Sequence, residues 1–141
     1  MRKTVFMAAA LALAGATLQA RADSLVANIN ISTQTMTVSQ EGRIIHKWRV
    51  STARRGYVTP RGSWHPVRMN RMWYSRKYDM TPMPYSVFFR GGYAIHGTNA
   101  VRHLGRPVSH GCVRLATPNA ARFYALVQEF GPANTRIVVS N

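Results

Sequence analysis

Apolar and polar residues alternate along most of the segment from Leu25 to Ser51. Two pairs of turn-forming residues, Thr33-Gln34 and Glu41-Gly42, divide the alternation into three runs. A period of two is typical of strands that bury one face, and two-residue connections join antiparallel neighbours. The pattern therefore predicts a three-stranded meander. Glu41-Gly42 is the stronger turn signal, because glycine tolerates a positive φ.

The following segment is rich in turn-forming, aromatic and basic residues. Residues 51–62 contain two glycines, one proline and three arginines, and they predict a solvated loop with a basic cluster that could meet an anionic ligand. Residues 64–90 interleave seven aromatic with five basic side chains. Such interleaving can stack on bases or sugars, but it more often forms a strand core with an exposed rim.

Two expected strands lead directly to a histidine. Thr81-Pro82-Met83-Pro84 breaks any helix and introduces an expected strand from Tyr85 to Phe89. A Gly91-Gly92 turn then precedes a strand from Tyr93 to Ile95, which delivers His96. The end of a strand is a well-fixed position for a functional side chain.

One segment near the C-terminus has a helical period. Apolar residues recur there at spacings of three and four: Phe123, Leu126, Val127 and Phe130. Thr117 suits the N-cap, Pro118 suits the first helical position, and Gly131-Pro132 ends the pattern. A helix over about 117–130 is predicted to pack its apolar face on the sheet, and a last strand from Arg136 to Ser140 is expected to follow. The fold class is therefore mostly β.

The N-terminus predicts an exported protein. Two basic residues precede an apolar run from Val5 to Leu18, which is too short to span a bilayer, and small residues follow it. Residues 1–22 are therefore interpreted as a secretory signal peptide, cleaved after Ala22 or, as a second choice, after Ala20. Residues 23–141 would then form one periplasmic or wall-associated domain with no transmembrane anchor. An uncleaved N-terminal anchor is the alternative.

The mature chain would be strongly basic. Without residues 1–22 it has 16 basic residues against 4 acidic ones, a formal net charge of +12. This charge favours an anionic partner. Export argues against nucleic acid, and no nucleic-acid module is recognisable. A cell-wall polymer with free carboxylates, or an acidic membrane surface, fits the charge better.

Cys112 is the only cysteine in the chain, and it follows Gly111 in a polar stretch. A single cysteine in an exported protein is a candidate reactive thiol. Three interpretations compete: a nucleophile whose base approaches in space, a buried thiol that acts as a small hydrophobe, and a metal ligand with His96, His103 and His110. The nucleophile is favoured because the flanking residues are polar, and because only one of these histidines has the short spacing of a zinc site.

Residues 93–115 resemble the signature of the L,D-transpeptidase catalytic domain family. In that signature a strand ends in His-Gly, a loop follows, and Ser-His-Gly-Cys precedes an aliphatic residue and Arg or Asn. The corresponding residues here are His96-Gly97, Ser109-His110-Gly111-Cys112, Val113 and Arg114. Further similar pieces are Val50-Ser51-Thr52, Thr59-Pro60-Arg61-Gly62 and Met83-Pro84-Tyr85. The resemblance spans nearly all of residues 23–141 and implies an L,D-transpeptidase-like β-sandwich.

Residue chemistry and the resemblance together assign the expected catalytic roles. Cys112 is the expected nucleophile and His96 its general acid/base. A catalytic histidine usually needs an orienting group. Asp79 would have to reach into the site, whereas the resemblance implies the backbone carbonyl of Gly97. Backbone N–H groups around Gly111 and Cys112 are expected to stabilise the oxyanion.

Further residues are expected to bind the substrate. The resemblance makes Ser109, His110, Gly111 and Arg114 site residues. The guanidinium of Arg114 suits a bidentate contact with a substrate carboxylate. Alternatively, it could brace the loop by bonding carbonyl groups. Tyr85 is expected to flank the substrate groove.

By the resemblance, the thiol attacks the third, diamino-acid residue of a peptidoglycan tetrapeptide stem and D-alanine leaves. The acyl group then passes to an amine of a second stem, giving a 3→3 cross-link, or to an amine of an outer-membrane or wall-anchored protein. Water as acceptor would make the enzyme an L,D-carboxypeptidase. No metal or organic cofactor is expected, and carbapenems are implied as acylating inhibitors. A non-catalytic, basic wall-binding module is the alternative from another class.

Overall fold

The computed structural model describes residues 23–141, so the predicted signal peptide over residues 1–22 lies outside the described residues. The described part is a two-sheet β structure with one α-helix. Its strands are β1 Leu25–Asn30, β2 Thr35–Gln40, β3 Arg43–Arg49, β4 Gly62–Trp64, β5 Arg68–Ser75, β6 Thr81–Arg90, β7 Tyr93–Thr98, β8 Val113–Ala116 and β9 Thr135–Ser140, and helix α1 is Thr117–Phe130. Within these residues no helix is long and apolar enough to cross a membrane.

The first sheet has the strand order β3-β2-β1-β9-β4, which confirms the predicted meander. Glu41-Gly42 is the two-residue turn expected between β2 and β3, and both residues have positive φ. The two-residue turn at Thr33-Gln34 was wrong: Asn30 pairs with Thr35, so four residues connect β1 to β2. The side chain of Asn30 stabilises this longer loop by accepting the N–H of Thr33.

The second sheet has the strand order β5-β6-β7-β8. Strand β6 begins at Thr81, so its expected start at Tyr85 was wrong. Pro82 and Pro84 are tolerated because this half of β6 pairs only with β5, and pairing with β7 begins at Val87. The irregularity lies at Tyr85 itself, which has a φ of 52°.

Helix α1 has the predicted bounds, and its apolar face is buried through Phe123, Leu126 and Val127. Its N-cap is Ala116 and no side chain caps it, so Thr117 is the first helical residue and not the cap. The helix packs on β6, β7 and β8. It completes one hydrophobic core shared with the inner faces of both sheets.

Candidate active site

The parallel pairing of β7 and β8 brings the two central candidates together. His96 pairs with Arg114, and Cys112 precedes Arg114 by two residues, so all three side chains lie on one face of the second sheet. This face opens into a pocket of about 320 Å³. The pocket is lined by Arg68, Trp73, Ser75, Arg76, Lys77, Tyr78, Thr81, Met83, Phe88, Gly92, His96, His110, Cys112 and Arg114.

His96 is held in one orientation and one tautomer. Its side chain is 5% exposed, and Nδ1 lies 2.8 Å from the carbonyl oxygen of Gly97, the contact that the sequence led us to expect. A carbonyl only accepts, so Nδ1 carries the proton and Nε2 of the neutral ring is a free base. Burial lowers the pKa of His96 to about 4, against an opposing effect of the Gly97 bond. The ring is therefore neutral at neutral pH.

Gly97 cannot be replaced by a larger residue without displacing its neighbours. A Cβ atom at this position would lie 3.0 Å from the Cα of Thr117 and 3.1 Å from Cγ of Pro84. The first turn of α1 thus packs directly against the backbone that orients His96. This close contact explains sterically why a glycine follows the histidine in the His-Gly pair.

Cys112 is a protonated thiol in the resting site. Burial raises its pKa, while a backbone hydrogen bond from Ala94 and the charge of Arg114 act in the opposite direction. The Sγ atom also lies 3.8 Å from the carbonyl oxygen of Gly92. Because the net shift is upward, the thiol would need a base in order to act as a nucleophile. The neutral His96 that lines the same pocket has the chemistry of such a base.

The loop that carries Cys112 is fixed by the segment after β3. Backbone N–H groups of Ser109 and Arg114 donate to the carbonyls of Thr52 and Ser51, both at 2.9 Å. Thr52 is itself fixed by Gln34, whose amide group both donates to its hydroxyl and accepts its N–H. These bonds explain why a Val-Ser-Thr segment distant in sequence belongs to the same signature.

Ser109 was expected to bind substrate, but it does not line the pocket. It is fully buried. Its hydroxyl donates to the carbonyl of Cys112 at 2.6 Å and accepts the N–H of Gly111 at 3.1 Å. Ser109 therefore shapes the loop from inside.

Gly111 also acts through its backbone. Its φ is 136°, and a Cβ atom would lie 2.6 Å from Cε1 of Tyr93. Its N–H is already bonded to the hydroxyl of Ser109, so its expected contribution to the oxyanion site is not available in this geometry. Among residues 23–141 no acceptor bonds the N–H of Cys112, which leaves that group as the available backbone donor.

His110 and Arg114, two of the residues predicted to bind substrate, line the pocket. His110 stacks on Tyr78 at 4.2 Å between ring centroids and contacts Tyr57 at 4.8 Å. Its pKa is lowered by burial and by the charges of Arg54, Arg114 and Lys77, so it too is neutral at neutral pH. Burial also lowers the pKa of Arg114, but a guanidinium stays charged.

Tyr85 lies outside this pocket. Its ring packs edge-on against Tyr124 of α1 at 5.7 Å. The positive φ of Tyr85 falls where β6 changes its alternation, and it places the ring on the helix side while Met83 faces the pocket. The geometry gives no support to the expected groove contact. Asp79 and His103 do not line the pocket either, and no three His, Cys, Asp or Glu residues of the described chain form a possible metal site.

Sequence reasoning did not single out the pocket wall that faces Cys112. That wall comes from the β5–β6 hairpin, where Arg68 lies 4.5 Å from the ring centre of Trp73 and 4.1 Å from that of Phe88. The interleaving of aromatic and basic residues over 64–90 was the available signal. Together with Arg76, Lys77 and Arg114, Arg68 makes the pocket strongly basic, and no acidic residue of the described chain lines it.

The chain was compared with known proteins. A model of the L,D-transpeptidase catalytic domain family matches residues 24–139. A protein of Escherichia coli K12 named "Probable L,D-transpeptidase ErfK/SrfK" is 29% identical over 113 residues, covering 72% of this chain and 34% of its own length. This chain therefore spans about a third of that relative.

Solved structures show the same fold. An L,D-transpeptidase from Stackebrandtia nassauensis has a TM-score of 0.75 and 27% identity, over 87% of this chain and 58% of its own. The LD transpeptidase LdtMt1, solved in complex with imipenem, has a TM-score of 0.75 and 26% identity, over 84% of this chain and 59% of its own. The family match covers most of the chain, and it agrees with the two-sheet fold and with the pocket that holds His96 and Cys112. The chain belongs to the L,D-transpeptidase catalytic domain family.

Proposed function

We propose that this protein is a cysteine-dependent L,D-transpeptidase that acts on peptidoglycan tetrapeptide stems. The observation that carries the proposal is the shared pocket of His96 and Cys112, in which the histidine is neutral and its Nε2 is free. A half-buried thiol that shares its pocket with a fixed, unprotonated imidazole is the arrangement that nucleophilic catalysis needs.

Acylation begins when Nε2 of His96 takes the thiol proton of Cys112. The sulfur forms a bond to the carbonyl carbon of the third stem residue, and the carbonyl π electrons move onto oxygen. The N–H of Cys112 is the donor for that oxyanion. Collapse of the tetrahedral intermediate breaks the bond to D-alanine, whose amine takes the proton from His96. The product is a thioester.

Transfer of the acyl group reverses these proton movements. An acceptor amine attacks the thioester and gives its proton to His96, and the departing thiolate of Cys112 recovers that proton. The side-chain amine of a second stem would give a 3→3 cross-link, an amine of an outer-membrane or wall-anchored protein would give anchoring, and water would give carboxypeptidase activity.

The basic pocket supports an anionic substrate. Arg68, Arg76, Lys77 and Arg114 line it, and none of them takes part in an ion pair within residues 23–141. A stem peptide carries free carboxylates that these cations can bind. Action on the wall also requires export, which the signal-peptide interpretation of residues 1–22 would supply. We therefore propose that the protein works in the periplasm or at the wall.

The test is incubation of the mature protein with disaccharide-tetrapeptide, followed by mass spectrometry of both products and intact protein. Loss of D-alanine, a covalent adduct on Cys112 and formation of dimers are the expected results. The adduct should be absent from Cys112→Ala. Imipenem should acylate the same thiol, as the complex of the related LdtMt1 suggests. Folded protein that binds stems but gives neither adduct nor turnover would favour the wall-binding alternative.

A further inference from the structure

Thr59 is a buried threonine that the reaction described above does not use. It is 2% exposed and lies in the loop between β3 and β4, 52 residues from Gly111. Its hydroxyl oxygen accepts the N–H of Ala53 at 3.0 Å and donates to the carbonyl oxygen of Gly111 at 2.8 Å. Because an N–H can only donate, the single hydroxyl proton has to point to Gly111.

The Gly111 carbonyl and the Cys112 N–H belong to one peptide unit. The described residues contain no cis peptide bond. In a trans unit the carbonyl and the following N–H point in opposite directions across the C–N bond. A bond that holds the oxygen of Gly111 on the Thr59 side therefore turns the N–H of Cys112 to the other side.

The other polar groups around this peptide are already bonded. The N–H of Gly111 donates to the Ser109 hydroxyl, and that hydroxyl donates to the carbonyl of Cys112. Within the described chain, the Cys112 N–H is left as the donor without an acceptor. An N–H without a protein acceptor is available to an acceptor that a ligand supplies.

We propose that Thr59 is a positioning residue for the oxyanion donor: its hydroxyl fixes the Gly111–Cys112 peptide so that the Cys112 N–H meets the oxygen of the tetrahedral intermediate. This inference rests on the proposed function for its reaction step. Thr59 does not touch the substrate and transfers no proton. When sulfur bonds to carbon and the carbonyl electrons move onto oxygen, the new negative charge is met by an N–H whose direction is already set.

The hydrogen bonds on either side of Thr59 also form a continuous chain. Ala53 N–H donates to Thr59, Thr59 donates to Gly111, and the same peptide unit donates through Cys112 to the oxyanion. Each bond in such a chain polarises the next, by about 10–30% in condensed-phase estimates. Thr59 thus both orients and strengthens the donor.

The experiment compares two reactions of the same thiol in wild-type protein, Thr59→Val and Thr59→Ser. 4-Nitrophenyl acetate acylates Cys112 through an oxyanion, whereas iodoacetamide alkylates it by displacing iodide and forms none. Thr59→Val should slow acylation by at least about 10-fold, which is part of the loss expected when an oxyanion donor is removed. It should leave alkylation within about threefold, and Thr59→Ser should restore acylation.

A matched control separates this role from fold stability. Thr135 is fully buried, and its hydroxyl donates to the carbonyl of Gly131 at 2.9 Å, away from the pocket. Thr135→Val should show the same loss of thermal stability as Thr59→Val but no change in the ratio of acylation to alkylation. Rates that fall equally for both reagents, or an unchanged ratio in Thr59→Val, would overturn the inference.

Turnover of the tetrapeptide gives an independent reading. Thr59→Val should lower kcat with KM nearly unchanged, because the contact exists only in the transition state. If wild-type protein fails to process the stem, the proposed substrate is wrong. The reagent ratio then still decides the role of Thr59, since it requires only the thiol.

Discussion

Neighbouring residues on β7 and β8 face opposite environments. On one face Ile95, Val113 and Leu115 are buried in the core shared with the helix and the first sheet. On the other face His96 and Cys112 line the open pocket. The difference shows how a small domain holds a pocket rigid, because the same strands that fill the core fix the backbone of the residues that line the pocket.

The largest expected effect is the loss of acylation in Cys112→Ala, and comparison with Leu115→Ala should separate chemistry from packing. Cys112→Ala should lower acyl-enzyme formation by at least about 10⁴-fold, because it removes the attacking atom. Leu115→Ala should lower the free energy of unfolding by about 2–5 kcal/mol, while turnover per folded molecule is retained. Intact-protein mass spectrometry and urea unfolding measure the two quantities. Loss of turnover in folded Leu115→Ala protein would show that the two faces are not separable.

Gly111→Ala should affect both faces together. The added Cβ would lie 2.6 Å from Tyr93 and 3.0 Å from the carbonyl oxygen of Val58, at a φ of 136°. We expect a loss of about 2–4 kcal/mol in the free energy of unfolding and a marked fall in acylation. Gly42→Ala is the control, because its φ is also positive but nothing lies within 4 Å. Equal effects of both substitutions would contradict the steric explanation.

Part of the pH dependence of stability should come from His96, which lines the pocket. The pKa of His96 falls from 6.5 to about 4 on folding, so between these values the unfolded chain binds a proton that the folded protein does not. The free energy of unfolding should therefore decrease as pH falls from about 6.5 to about 4, by roughly 3 kcal/mol from this group. Urea unfolding at several pH values should show this decrease in wild type and a smaller one in His96→Gln. Parallel curves would refute the assignment.

The smallest effect concerns Tyr78 and Tyr85 in the β5–β6 hairpin region. Tyr85→Leu should cost about 0.5–1.5 kcal/mol of stability through the lost contact with Tyr124 and should leave KM nearly unchanged. Tyr78→Leu should raise KM, because Tyr78 lines the pocket and stacks on His110. Steady-state kinetics with the tetrapeptide would compare them. A larger KM effect for Tyr85 would restore the expected groove contact.

Sequence-based prediction was accurate for elements set by local interactions and less accurate for those set by contacts between distant residues. The meander and the helix were predicted correctly, because alternation and a 3.6-residue period are properties of neighbouring residues. Strands β4 and β5 were not delimited, since both are short or half-exposed and lack a clean alternation. The start of β6 was missed because a proline is acceptable there only when one side of the strand has no partner.

The sequence by itself determined the single thiol, a histidine carried by a strand, and the signature that joins them, although β7 continues past His96 to Thr98 and does not end at Ile95. Only the tertiary structure decided that Ser109 points inward, that Tyr85 faces the helix, and that Thr59 holds the peptide beside Cys112. The physical reason is that these contacts join residues far apart along the chain. Burial and hydrogen-bond partners, which set both the pKa of His96 and the free N–H of Cys112, exist only after those residues have packed together.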